Sequence, residues 1–148
     1  MDALGRIRAA VGGNGDREAK AVKIADAIRT AAGYRWVGVY DVEAAEIAAI
    51  AWSGPGGPAH PRFPRDQGLC GAAVAAGETV VVDDVGADPR YLTTFGSTRS
   101  ELVVPVRIEG DVRGLIDVES DRPAAFDAED RAFVERCAEA AALLWEHA

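Results

Sequence analysis

Cysteine is scarce in this chain: Cys70 and Cys137 are the two among 148 residues, far apart and in no CxxC spacing. That excludes a disulfide framework and a zinc knuckle. No apolar run comes near the 18 residues a membrane-spanning helix needs, and Met1 to Val11 mixes Asp2, Arg6 and Arg8 into a pattern unlike a signal peptide. A cytoplasmic protein is expected. Basic residues are outnumbered, 16 Lys and Arg against 24 Asp and Glu, for a net charge of −8 with no basic cluster. Nucleic acid and anionic membrane surfaces are therefore excluded as partners. No phosphate-cradling glycine loop, Ser-His-Asp signature or local metal-ligand spacing is present, so nothing calls for a cofactor or a metal. With 49% hydrophobic residues and no low-complexity tract, residues 1–148 read as one domain that buries roughly two thirds of its unfolded surface.

What the chain does have is a β-branched stretch from Ser100 to Asp121, SELVVPVRIEGDVRGLIDVESD. Two strands are predicted, Glu101 to Ile108 and Val112 to Glu119, joined through Glu109-Gly110-Asp111. Glu101, Asp117 and Glu119 interrupt runs that otherwise read as buried. Alternation places Asp117 and Glu119 on one face. Glu101 joins them only if the link is odd in length: a three-residue loop pairs Ile108 with Val112 and sets Glu101 opposite Glu119, whereas a two-residue Gly110-Asp111 turn sends Glu101 to the other face. One shared polar patch costs less than two separate buried ones, which favours the odd register. An acidic, solvated edge strand fits the same spacing.

Residues 2 to 11 predict a short helix, ended by Gly12-Gly13-Asn14-Gly15. A second helix has Asp16 as N-cap, Val22, Ala25 and Ile28 on one stripe, and Gly33 as its stop. Tyr34 to Val42 reads as a strand covered on both sides, with Tyr34, Trp36, Gly38 and Tyr40 on one face and Val37 and Val39 on the other. Trp36 and Tyr40 are either core aromatics or, with their polar tips, the wall of a ligand pocket. Glu46 to Trp52 is the antiparallel partner. The long Gly- and Pro-rich loop from Ser53 to Gln67 is of a kind that usually serves as a lid or binding loop, and it carries His60, a residue mostly solvated in loops.

Gly68 to Gly77 predicts a short helix with Cys70 in its first turn. The positive end of the helix dipole lowers a thiol pKa, making Cys70 a candidate reactive thiol; its small neighbours suit a residue chosen for close packing equally well. Thr79 to Val82 is another strand, and Asp83 to Gly96 a loop with one helical turn at Pro89 to Leu92. The last helix starts at Asp127, with Glu129 and Asp130 in its first turn. Its stripe of Phe133, Val134, Cys137, Ala141, Leu144 and Trp145 makes Cys137 an inert core thiol. The order of elements predicts an α+β fold: a central antiparallel sheet with the N- and C-terminal helices packed on one face and a small-molecule pocket on the other, under the long loop and short helix.

The stretches YRWVGVYDV, QGLCGAAVAAGETVVVDDV, FGSTRSELVVPV, GLIDVES and FDAEDRAF together resemble a GAF domain, and among GAF domains the free methionine-(R)-sulfoxide reductase branch, over about Asp16 to Trp145. The resemblance implies a GAF/PAS-like fold in which a free amino acid lies over the sheet between an aromatic pair and three acidic residues. The matching positions are Trp36, Tyr40, Glu101, Asp117 and Glu119, which supports the odd hairpin register. It also implies three thiols, one ten residues before the GLCG cysteine and one twenty-four after it, and those places hold His60 and Thr94. The later thiol is the usual sulfoxide attacker and the earlier one its resolving partner, so only Cys70 is left.

A domain that binds an amino acid or amine, with reductase activity lost or altered, is expected; the alternative is a reductase with Cys70 as its only reactive thiol and an external thiol as partner. Cyclic-nucleotide binding fits less well, because Arg131 stands where those domains resemble one another in an acidic residue, and an acidic pocket repels phosphate. Homodimers through the terminal helices are common in the resembled family, although one apolar stripe cannot serve both the core and a partner.

Overall fold

Two capped helices lead into the sheet. The computed structural model describes residues 1–146. In α1 (Ala3–Gly12) the Asp2 carboxylate accepts from the Gly5 N–H at 2.8 Å, and in α2 (Arg17–Ala32) Asp16 accepts from Ala19 at 2.8 Å. Gly33 ends α2 in the left-handed region at φ 68°. The buried stripe of α2 is Ala21, Ile24, Ala25 and Ile28, with Ala27 beside it. Val22, expected on that stripe, is 38% exposed, because the apolar positions repeat from Ala21 and leave Val22 a hundred degrees off the face.

Strands β1 (Trp36–Val42), β2 (Glu46–Ser53), β3 (Arg62–Pro64), β4 (Val80–Val82), β5 (Ser100–Ile108) and β6 (Asp111–Ser120) form one sheet in the order β3-β2-β1-β6-β5-β4, with every neighbouring pair antiparallel. The helix α3 (Gly68–Ala76) lies over one face, while α4 (Ala128–Ala141) and α5 (Leu143–Glu146) join α1 and α2 on the other. This is the expected α+β layering. Three details differ. The long loop contains β3, whose Phe63 pairs with Ile47 and is buried; three residues are too short a run to be read as a strand. The helical turn expected at Pro89 to Leu92 is reduced to a single turn at Pro89-Arg90, where Tyr91 N–H donates to the Asp88 carbonyl at 3.2 Å, and a 3₁₀ turn forms upstream at Val85–Ala87, where Asp84 accepts from Gly86. Tyr34 precedes β1 and packs on the helical side, edge-on to Phe126 at 5.8 Å, with its hydroxyl donating to Asp130 at 2.8 Å.

The register of the β5–β6 hairpin decides where the acidic residues point. Its turn is Glu109-Gly110, both left-handed (φ 53° and 89°), between the paired Ile108 and Asp111. Two residues in that turn would by themselves set Glu101 opposite Val118. A β-bulge intervenes: Arg107 pairs with Val112 but Val106 pairs with Gly114, so β6 carries Arg113 as an extra residue and Glu101 comes to lie opposite Glu119. The odd register is therefore present, but a bulge rather than a three-residue loop supplies it.

Alternation then divides the interior. Val37, Val39, Leu102, Val104, Ile116 and Val118 face the four helices, together with Cys137, whose thiol is pushed up to about 12 by burial. Trp36, Tyr40, Val103 and Leu115 face α3 and the loops. Arg17 ties three segments together, forking onto Asp41 at 2.6 and 2.7 Å and donating to the Leu144 carbonyl at 3.1 Å. Gly114 lies directly under the buried ring of Trp145, where a Cβ would overlap the indole.

Candidate functional site

On the α3 face, cross-strand pairing sets Trp36 beside Glu119, Gly38 beside Asp117 and Glu101 beside Glu119. Glycine at position 38 is what lets this constellation form: a Cβ there would lie 2.5 Å from the Trp36 ring and 2.7 Å from that of Tyr40. The two aromatics close in from either side, and Asp117 stands opposite the residue with no side chain. Trp36 donates from Nε1 to the Gly56 carbonyl at 3.2 Å and packs edge-on against Phe95 at 5.2 Å; Tyr40 meets Phe63 at 6.2 Å.

The three carboxyls are almost fully enclosed, with exposures of 4% for Glu101, 2% for Asp117 and 1% for Glu119. Thr98 Oγ1 donates to Glu119 Oε1 at 2.8 Å. Asp117 Oδ1 and Glu119 Oε2 have no hydrogen-bond partner, and none of the three joins an ion pair among the described residues. Burial holds all three well above the ordinary carboxyl range, and each is raised further by a neighbour: Glu101 by Glu119, Asp117 by Glu101, and Glu119 by Asp117. The side chain of Asp117 is within hydrogen-bonding reach of both glutamates, a contact that needs a retained proton.

The surroundings of Cys70 favour the close-packing reading over that of an activated thiol. Cys70 does sit in the first turn of α3, but it is 5% exposed and faces Asp117, Glu101 and Glu119. Burial first, and those carboxyls second, push its pKa well above the usual thiol value. Loss of hydration and like charge outweigh the dipole of a nine-residue helix whose N-cap, Gln67, makes no side-chain bond.

A small cavity of about 20 Å³, room for one water, is lined by Tyr40, His60, Cys70, Thr94, Glu101 and Asp117. A second of the same size lies at the other end of the cluster, against Trp36, Phe95, Thr98 and Glu119. Larger surface clefts, between β5 and α4 and along the ends of α2 and α4, hold none of these acidic residues. All six residues singled out in the sequence thus converge here. His60, thought solvated, and Thr94 join them at the same cavity, on the two loops that roof it. Thr98 carries no sequence signal; only the fold shows its bond to Glu119. One grouping was invisible as spacing because its members sit on α3, β5 and β6: ligating atoms of Cys70, Glu101 and Asp117 all lie within 4.8 Å of one another.

A pH dependence follows. Between the ordinary carboxyl range and the raised native values, the folded state holds protons that the unfolded chain has released. The stability of the empty protein should therefore fall as pH rises through that window and level off above the native values. Urea midpoints at about pH 5 and pH 7.5 should drop more for the wild type than for a Glu101→Gln/Asp117→Asn/Glu119→Gln variant. Equal drops would refute the carboxyl origin.

A GAF domain family model matches residues 16–145. The chain belongs to the GAF domain family. The free methionine-R-sulfoxide reductase of Saccharomyces cerevisiae is 34% identical over 106 residues, 70% of this GAF domain and 58% of the yeast protein. The chain spans less than two thirds of the length of several curated relatives. Among solved structures, the free methionine-R-sulfoxide reductase of Neisseria meningitidis in complex with its substrate superposes with a TM-score of 0.87 at 33% identity, covering 97% of this chain and 86% of that one. The type II free methionine-R-sulfoxide reductase of Thermoplasma acidophilum gives 0.79 at 36% identity, covering 88% and 96%. This GAF domain is thus related to the free methionine-R-sulfoxide reductases. Among its described residues, no helix is long and apolar enough to cross a membrane.

Proposed function

We propose that this GAF domain binds a small molecule bearing an ammonium group, of the free amino acid or amine class, in the acidic pocket, and that it has lost sulfoxide reduction. The observation that carries this reading is three buried carboxyls with two orphaned oxygens and no cation among them. An ammonium group brings three donors and a positive charge, which satisfies both deficits at once. A carboxyl that keeps its proton remains free to donate to an oxygen of the ligand, and the face of Trp36 offers a cation–π wall. The relatives at 33–36% identity, one solved with its substrate, favour an amino acid. The cavities are too small for one as they stand, so the loops bearing His60 and Thr94 must swing outward to admit it.

Loss of turnover follows from the thiols. Thr94 has no thiolate to attack sulfur, and Cys70 is held protonated by its surroundings. One observation favours the other reading, a reductase using Cys70: that sulfur shares its cavity with Glu101 and Asp117. A thermal-shift and calorimetric screen of free amino acids, with both methionine sulfoxide epimers, separates the two when paired with a thiol-coupled turnover assay. Binding without product is expected, with Cys70→Ser changing affinity by less than about threefold, under 0.7 kcal/mol. Turnover that vanishes in Cys70→Ser would make Cys70 the nucleophile and end the binding-module reading.

A further inference from the structure

We propose that Cys70, Glu101 and Asp117 form a binding site for a divalent transition-metal ion at the α3 end of the pocket. Their donor atoms come from three separate elements and already lie within 4.8 Å of one another. A central ion draws such a set to metal–ligand distances of about 2.0–2.3 Å through small side-chain rotations. Independent of this clustering, Asp117 is 98% buried and lines the cavity, and its buried Oδ1 has no partner. A buried carboxylate oxygen left bare is an acceptor shaped for something the protein itself does not supply.

The donor chemistry narrows the ion. One sulfur with two carboxylate oxygens excludes magnesium and calcium, which take oxygen alone, and suits zinc, cobalt(II) or iron(II). His60 lines the same cavity and offers an imidazole as a fourth donor. Glu119 stays outside the set, bonded to Thr98 at the Trp36 end. On binding, the Cys70 thiol and one carboxyl give their protons to solvent, so the ion's two positive charges balance one thiolate and one carboxylate, while the other carboxyl coordinates through its carbonyl oxygen. The proposal does not rest on the amine-binding reading, because Cys70 is indispensable to the metal and dispensable to the amine.

The test is titration of metal-free full-length protein with cobalt(II) chloride and zinc sulfate, followed by calorimetry and by thiolate-to-cobalt charge-transfer absorption. One ion per chain is expected, with the charge-transfer band erased by added zinc. Cys70→Ser should abolish the band and weaken binding at least tenfold; Asp117→Asn, which removes a buried charge and so should fold, should also weaken it at least tenfold. Cys137→Ser should leave the band intact. No binding by the wild type, or binding as strong as the wild type's in Cys70→Ser or in Asp117→Asn, would overturn the site. Retained amine binding in Cys70→Ser with the band gone would separate the two occupants.

Discussion

Replacing Asp117 with asparagine is expected to make the empty protein more stable and its ammonium ligand weaker, two effects of opposite sign from one atom. Asp117 lies between Glu101 and Glu119 with 2% exposure and no counter-charge. Its raised pKa means that at pH 7.5 folding must either re-protonate a carboxyl the unfolded chain has ionised or bury its charge, a cost of at least about 1 kcal/mol that an asparagine of the same shape escapes. The asparagine amide also donates to the glutamates without needing a shared proton. The gain should be about 1 kcal/mol or more at pH 7.5, read as a shift in urea midpoint. Affinity for the ammonium ligand should fall at least tenfold, about 1.4 kcal/mol, since the carboxylate is its proposed counter-ion. A less stable variant that binds as well as the wild type would remove the carboxyl cluster from any account of function.

The second large effect lies on the opposite face of the sheet. Gly114→Ala places a methyl group inside the Trp145 indole, a ring only 1% exposed and enclosed by the helical core. The ring cannot retreat to solvent, so either β6 or the C-terminal helix must shift, at an expected loss of about 2–3 kcal/mol in chemical denaturation. In a Trp145→Leu background the same alanine should cost far less, and that non-additivity identifies the clash as the cause. Simple additivity of the two substitutions would place the strain elsewhere.

The parts of the molecule legible in the sequence are those decided within a few residues. Asp16 and Asp127 cap their helices because a short acceptor at the first turn meets a bare N–H whatever the rest of the chain does, and Asp2, read as part of its helix, proves to cap it in the same way. The layering, the position of α3 and the inward face of Trp36 and Tyr40 were legible too, from alternation and from glycine punctuation. Val22 and Tyr34 were misplaced because a helical stripe or a strand shifted by one or two residues reads almost equally well. Cys70 stayed open between two readings for a deeper reason. A local rule, the helix dipole, was legible, but burial under the folded sheet, and after it the carboxyls of β5 and β6 thirty and more positions away, push the thiol the other way. His60 and Thr94 are likewise brought to the cavity by loops whose paths no periodicity records.

The bulge in β6 constrains how this hairpin can vary in length among descendants of a common ancestor. Pairing Arg113 into the ladder without lengthening the turn would leave every later residue of β6 on the wrong side of the sheet, with valines among the loops and carboxylates against the helices, whereas losing Arg113 outright would leave a regular hairpin with Glu101 still opposite Glu119. The bulge can therefore disappear in two ways that keep the acidic face, by loss of Arg113 or by a matched exchange in which the turn grows by one residue. The three-residue loop that the sequence first suggested is the other half of that exchange, and a relative lacking the bulge while keeping the three acidic residues should carry either that loop or a hairpin one residue shorter.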